Sequence, residues 1–256
     1  MRKYLTMSLV ALMAMMASCS VQVGDKEWSI GNSSQNDTPT QVSQLNTETA
    51  MNAFDVLNVA GPFNVFFEQR DGYTVRVQGT EEQLNKMTIY VKEGQLYIDR
   101  RNNKHNDFSG LQVFVTAPSI KKFDIAGSSK VTAPKELNVD KFVIDVAGSA
   151  HVTLAQLKCT DLTVDMAGSG NVTTGPVVAN TVTNDIAGSA KVEMAALMCK
   201  TLSNDIAGSG NVTLNNVNVD DVKSDIAGSG RVIIHGKVGK HSEDVAGSGK
   251  IQIIEE

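Results

Sequence analysis

Five residues, Asp-Ile-Ala-Gly-Ser, begin at Asp124 and recur in close variants at Asp145, Asp165, Asp185, Asp205, Asp225 and Asp244. The intervals are 21, 20, 20, 20, 20 and 19 residues, so the C-terminal half of the chain is one unit written seven times. A fixed period near twenty marks a repeat architecture, in which each unit is completed by its neighbours. Each copy continues with a polar residue and then Val or Ile, from Lys130-Val131 and His151-Val152 through to Arg231-Val232 and Lys250-Ile251. A second apolar string closes the full units at 157–162, 177–182, 197–202 and 217–222.

One unit alone offers roughly six to eight inward apolar side chains and no helix-length stripe, and it leaves its backbone groups unpaired. Laying each unit on the last pairs those groups and stacks Ile on Ile and Val on Val. The chain is therefore predicted to be all-β. Its C-terminal part, 124–256, forms a parallel β-helix (a β-solenoid) of about seven 20-residue turns, preceded by a small β module. At about 4.8 Å per turn the coil is on the order of 35 Å long. The preference for right-handed parallel crossovers favours a right-handed coil. The Ala-Gly-Ser-Gly element reads as the corner, where Gly tolerates positive φ and close backbone approach. Structural corner residues are then the seven Asp named above and Gly148, Gly168, Gly188, Gly208 and Gly228.

Cys159 and Cys199 each lie fourteen residues after the Asp of their unit, two turns apart. That separation is about 9.6 Å, beyond the roughly 7 Å limit for a disulfide. Both are expected to be buried free thiols.

Seven stacked carboxylates repel by roughly 1 kcal/mol per neighbouring pair even in water. Calcium is one way to offset this, although the repeat does not match the glycine-rich nonapeptide of calcium-binding solenoids. The alternative is structural: each Asp accepts hydrogen bonds from the backbone N–H groups or Ser hydroxyl of its own corner. Lys130, Lys191, Arg231 and Lys250 would then add partial neutralisation. The structural reading is adopted, with no metal site and no cofactor.

Glycan-cleaving β-helices need sugar platforms and a focused acid/base or metal cluster. No aromatic residue follows Phe142, and the acids of the repeat are spread evenly. The histidines, His105, His151, His235 and His241, form no spacing that suggests a ligand set or a triad. No catalytic residues are assigned. A net charge of −5 argues against a nucleic-acid partner.

The N-terminus supplies an address. Arg2 and Lys3 precede an apolar stretch over 5–17, and Met16-Ala17-Ser18-Cys19 puts small residues ahead of a cysteine. Residues 1–18 read as a signal peptide, too short to span a bilayer. Cys19 resembles the acylated cysteine of a bacterial lipoprotein box, with Met16 in place of the usual Leu. Acylation there would anchor the chain stably to a membrane. The alternative is ordinary secretion without a lipid. Residues 19–50 then hold the lipidated Cys and a polar, aperiodic tether.

Residues 51–123 alternate apolar and polar side chains between turn signals and are read as a compact β module with its own core. Thr80 to Leu84 has the form of a capping box and predicts one short helix. Glu93-Gly94 predicts a hairpin.

Several runs together carry a family resemblance: Phe54-Asp55-Val56 through Phe63-Asn64-Val65, Gly94-Gln95-Leu96-Tyr97-Ile98, and 117–128 leading into the repeats. From about Phe54 to the C-terminus the chain resembles the exported Bacteroidetes family called "putative auto-transporter adhesin, head GIN domain". The resemblance implies a β-helical fold and adhesion, and it brings no catalytic residues. It leads to a non-enzymatic cell-envelope lipoprotein, on an outer membrane, presenting a rigid solenoid to a protein or glycan ligand. A periplasmic structural or signalling scaffold is the alternative, and a polysaccharide-active enzyme a second. In this group of bacteria a short acidic run after the acylated Cys can mark surface export, and Ser20 to Asp25 lacks one. The face of the membrane stays open. An uncapped C-terminal edge at Ile251 to Glu256 points to a homo-oligomer.

Overall fold

A computed structural model describes residues 42–101 and 107–255. The signal peptide, Cys19 and most of the tether lie outside the described residues, as does His105. The chain is all-β, with a parallel β-solenoid of about seven turns. The first strands are β1 (Thr49–Ala50), β2 (Val56–Ala60), β3 (Asn64–Gln69) and β4 (Thr74–Gln78). A short helix α1 (Glu81–Asn85) leads to β5 (Met87–Lys92), β6 (Gln95–Arg100) and β7 (Gln112–Ala117).

The repeats supply β8 (Lys122–Gly127), β9 (Lys130–Asn138), β10 (Lys141–Gly148), β11 (His151–Lys158), β12 (Asp161–Gly168), β13 (Asn171–Val178) and β14 (Thr181–Gly188). Three long strands, β15 (Lys191–Gly208), β16 (Asn211–Gly228) and β17 (Arg231–Gly247), run through bends. The short β18 (Lys250–Ile254) follows them.

Turn lies on turn in register, with irregularities at Leu154/Gln156 against β9 and at Leu214/Val217 against β17. Asp145 faces Asp124 and Asp165, and the series runs unbroken to Asp225 facing Asp244. Within one turn the inward positions are those of Leu162, Val164, Met166, Gly170, Val172, Thr174, Val177 and Ala179, all buried. Period-two alternation sends the residues between them outward.

The corners explain the Ala-Gly-Ser motif. Gly148, Gly168, Gly188, Gly208 and Gly228 adopt φ between 121° and 134°, a region that L side chains rarely enter. A Cβ on any of them would lie 2.4–2.7 Å from the carbonyl oxygen of the corner glycine one turn earlier. That same carbonyl accepts a hydrogen bond from the next serine's backbone N–H, as in Ser189 to Gly168 at 2.8 Å and Ser209 to Gly188 at 2.7 Å. The corner is thus held by main chain.

Residues 51–123 do not stand apart from this coil. β2 pairs in parallel with β6 on one side and β8 on the other, and β3 lies likewise between β7 and β9. The order of rungs along the axis is β6/β7, then β2/β3, then β8/β9 and onward. The chain lays down β2/β3 and leaves to build an end cap. It then returns below that rung as β6/β7 and above it as β8/β9. In the cap β5 runs antiparallel to β6, β4 antiparallel to β7, and β1 antiparallel to β4.

Glu93 and Gly94, at φ 52° and 72°, form the two-residue hairpin turn joining β5 and β6. Thr80 caps α1 reciprocally with Gln83, at 3.2 and 3.1 Å. One continuous core runs from Val42 and Phe54 through Phe123 and Phe142 to Ile234, with no break at residue 124.

Candidate functional site

The surface of the coil is a set of ladders, each a single side-chain position repeated along the axis. The acidic ladder holds all seven Asp, half-buried or exposed on the outer face. It is neutralised near both ends. Lys122 reaches Asp124 at 2.9 Å and Asp145 at 2.8 Å, and Lys223 pairs with Asp225. Partial burial pulls the Lys122 ammonium down, but its bonds to Asp145 and Asp124 carry it above its ordinary value.

Between these ends the flanking position is held by Thr163, Thr183 and Ser203, so Asp165, Asp185 and Asp205 lack a lysine there. Burial, then the carboxylates of Asp185 and Asp145, push Asp165 up to about 6, with Lys122 opposing. Burial and then Asp205 raise Asp185, against a hydrogen bond from Asp165 that lowers it. Burial and then Asp225 raise Asp205, against Lys223. Mid-ladder carboxyls therefore hold their protons to higher pH than isolated ones.

The neutralising lysines differ from those the repeat suggested. Lys130, Lys191, Arg231 and Lys250 belong to a second ladder across the corner, in register with His151, Asn171 and Asn211. Lys191 pairs there with Glu193 at 2.6 Å. Among the described residues no corner-serine hydroxyl is bonded to the Asp ladder. Ser129, one residue beyond the first corner motif, donates its hydroxyl to the Gly61 carbonyl on the neighbouring rung. Among the described residues no group of three or more His, Cys, Asp and Glu is arranged to hold a metal.

Two aromatic stacks lie on the N-terminal rungs, and the sequence reading missed both. Tyr97 faces Asn58, which faces Asp124, so the acidic ladder continues into the N-terminal rungs. Tyr90 and Tyr97 stack at 5.1 Å and 12° beyond it. Tyr97 donates its hydroxyl to Gln95, and Asn58 donates its amide to the same oxygen, at 3.2 and 3.1 Å. On the other strand Phe66 and Phe114 stack at 5.2 Å, with the Arg76 guanidinium 4.1 Å from the Phe114 ring centre. The coil therefore does carry outward aromatic rings. They sit on rungs that a boundary at residue 124 assigns elsewhere.

The interior holds a third feature that column-by-column alignment of the repeats would have exposed. The position before each Asp is Phe123, Ile144 and Val164, then Asn184, Asn204 and Ser224. Asn184 donates to the Asn204 side-chain oxygen at 2.8 Å, and Asn204 donates to the Ser224 hydroxyl at 3.0 Å. All three are buried. Cys199 is also buried and Cys159 half-buried, both free; burial pushes their thiols up to about 12 and about 11. His151 lies exposed beside Asn171, while His235 is half-buried.

Fold and surface define a parallel β-solenoid with charged outer ladders, capped at its N-terminal end by antiparallel strands. The chain belongs to the family described as "putative auto-transporter adhesin, head GIN domain", which it matches over residues 53–237 and 205–255. A crystal structure of a "putative adhesin" from Bacteroides fragilis is similar, with 18% identity and a TM-score of 0.73. It covers 84% of this chain and 97% of its own. A "putative adhesin" from Parabacteroides distasonis shows 19% identity, TM-score 0.70, and coverage of 86% and 98%. A "putative lipid binding protein" from the same species shows 19% identity and TM-score 0.55, again covering 86% and 98%. At these identities the likeness is one of fold. No curated protein matches the chain in sequence.

Proposed function

We propose that the protein is a non-enzymatic envelope lipoprotein, acylated at Cys19, whose solenoid is the binding element of an adhesin. The observation that carries this reading is the outer surface itself. The acidic ladder runs in register through all seven turns on a scaffold of main-chain-paired rungs, and the two aromatic stacks lie on the N-terminal rungs that continue the coil. A ligand with its own repeat, a glycan or an extended protein, can meet such a surface at many equal contacts, which raises avidity without any single deep pocket. Membership of a family described as adhesins supports the reading.

The test is protease accessibility on intact cells, with a periplasmic protein as control, followed by binding to immobilised host proteins and glycans. Digestion on intact cells, with binding lost in an Asp165→Asn/Asp185→Asn/Asp205→Asn variant that keeps its fold, is the expected result. Digestion only after lysis would replace adhesion by a periplasmic scaffold. Loss of membrane association in Cys19→Ser tests the anchor.

A further inference from the structure

The C-terminal end of the coil has an edge whose charges complement themselves. β17 from Lys240 to Gly247 pairs with the Asp221–Gly228 part of β16 on one side. Among the described residues, no strand pairs with its other side. The inward columns surface here: His241 continues the column of Val222, Glu243 that of Ser224, and Val245 that of Ile226, all exposed. Val245 and Ile254 are two of the four large exposed hydrophobic residues among those described. An open edge of this kind is a template for another strand.

Its sequence narrows which strand. Lys240-His241-Ser242-Glu243-Asp244 reads basic to acidic about a neutral centre. We propose that two copies of the chain join at this edge, antiparallel about Ser242, to form a symmetric dimer with one continuous sheet. In that register Lys240 lies opposite Asp244 of the second copy and His241 opposite its Glu243, each pair occurring twice by symmetry. The faces agree as well, because directly opposed residues on antiparallel strands point the same way. The pairs 240/244 and 241/243 each share one parity.

Sliding the register by two residues either way separates Lys240 from Asp244, and in one direction it sets Glu243 against Glu243. The charges therefore favour one register over its neighbours, which separates specific pairing from open-ended aggregation. At the opposite end of the coil the cap strands β4 and β5 run antiparallel to the rungs they cover, so that end differs in strand direction from the β17 edge.

The experiment is sedimentation velocity on the full chain carrying Cys19→Ser, across protein concentration and NaCl. The expected result is a monomer–dimer equilibrium that weakens with salt. Asp244→Lys should weaken it at least tenfold by setting lysine against lysine. The exchanged pair Lys240→Asp/Asp244→Lys should restore it, since the same charges then meet with sides swapped. These side chains are exposed, so circular dichroism should show every variant folded. A monomer at every concentration, a dimer indifferent to Asp244→Lys, or an exchanged pair no better than the single change would overturn the proposal.

Discussion

Asp165 and Asp185 stand directly opposite one another on adjacent parallel strands, both half-buried, and the Asp185 carboxylate helps to push the Asp165 carboxyl up. Two acids in that position cannot both ionise without loss, so Asp165 keeps its proton to a higher pH than an isolated Asp would. The Asp column is accordingly a source of strain at neutral pH, offset only towards its ends by Lys122 and Lys223.

The first prediction concerns pH. Asp165 titrates near 6 in the fold, above the ordinary 3.8 that it regains on unfolding. Between these values the native state binds more protons than the unfolded state, so stability falls as pH rises through this window and levels off above it. Thermal denaturation should give a higher Tm at pH 5 than at pH 7. Asp165→Asn should raise the Tm at pH 7 and flatten the slope, by about 2–4 °C for each kcal/mol of repulsion removed. An Asp165→Asn protein with the parent's full pH slope would sink this account of Asp165.

A corner glycine provides the second. Gly188 adopts φ 121°, and a Cβ there would meet the Gly168 carbonyl oxygen at 2.5 Å. Neither strand can retreat without breaking the Ser189 to Gly168 hydrogen bond. Gly188→Val should cost several kcal/mol, read as a lowered urea midpoint, and Gly188→Ala should already cost part of it. An unchanged midpoint for the valine variant would refute the corner geometry.

The third concerns the buried ladder. Asn204→Val removes the acceptor of Asn184 and the donor to Ser224 together, and the orphaned amide should cost about 1–3 kcal/mol. Replacing all three, with Asn184→Val, Asn204→Val and Ser224→Ala, removes the orphans and should recover most of that loss. Chemical denaturation of the single and triple variants separates the two. A triple variant weaker than the single would mean that the ladder contributes net stability of its own.

Much of this was legible beforehand because the repeat is local. Asp, Ile, Ala and Gly return every twenty residues, and alternation assigns each to the inside or the outside. The positive-φ Gly188 and the hairpin at Glu93-Gly94 each follow from a few adjacent residues. The acidic ladder was equally legible, but its neutralisation was not. Lys122 and Lys223 sit two residues before their Asp on the same outer face, whereas Lys130 and Lys191 lie past the corner in a separate column.

What the sequence by itself determined is the coil: its period, its faces, and the glycines without which one turn cannot lie on the next. What only the tertiary structure decided is where the coil begins. Asn58 faces Asp124 across sixty-six residues, and β2 and β3 lie between strands made later in the chain. Main-chain hydrogen bonds between parallel strands are indifferent to side-chain identity. A rung recruited from a distance therefore leaves no periodic trace, and the Tyr90–Tyr97 stack joins the acidic ladder only once the backbone has closed.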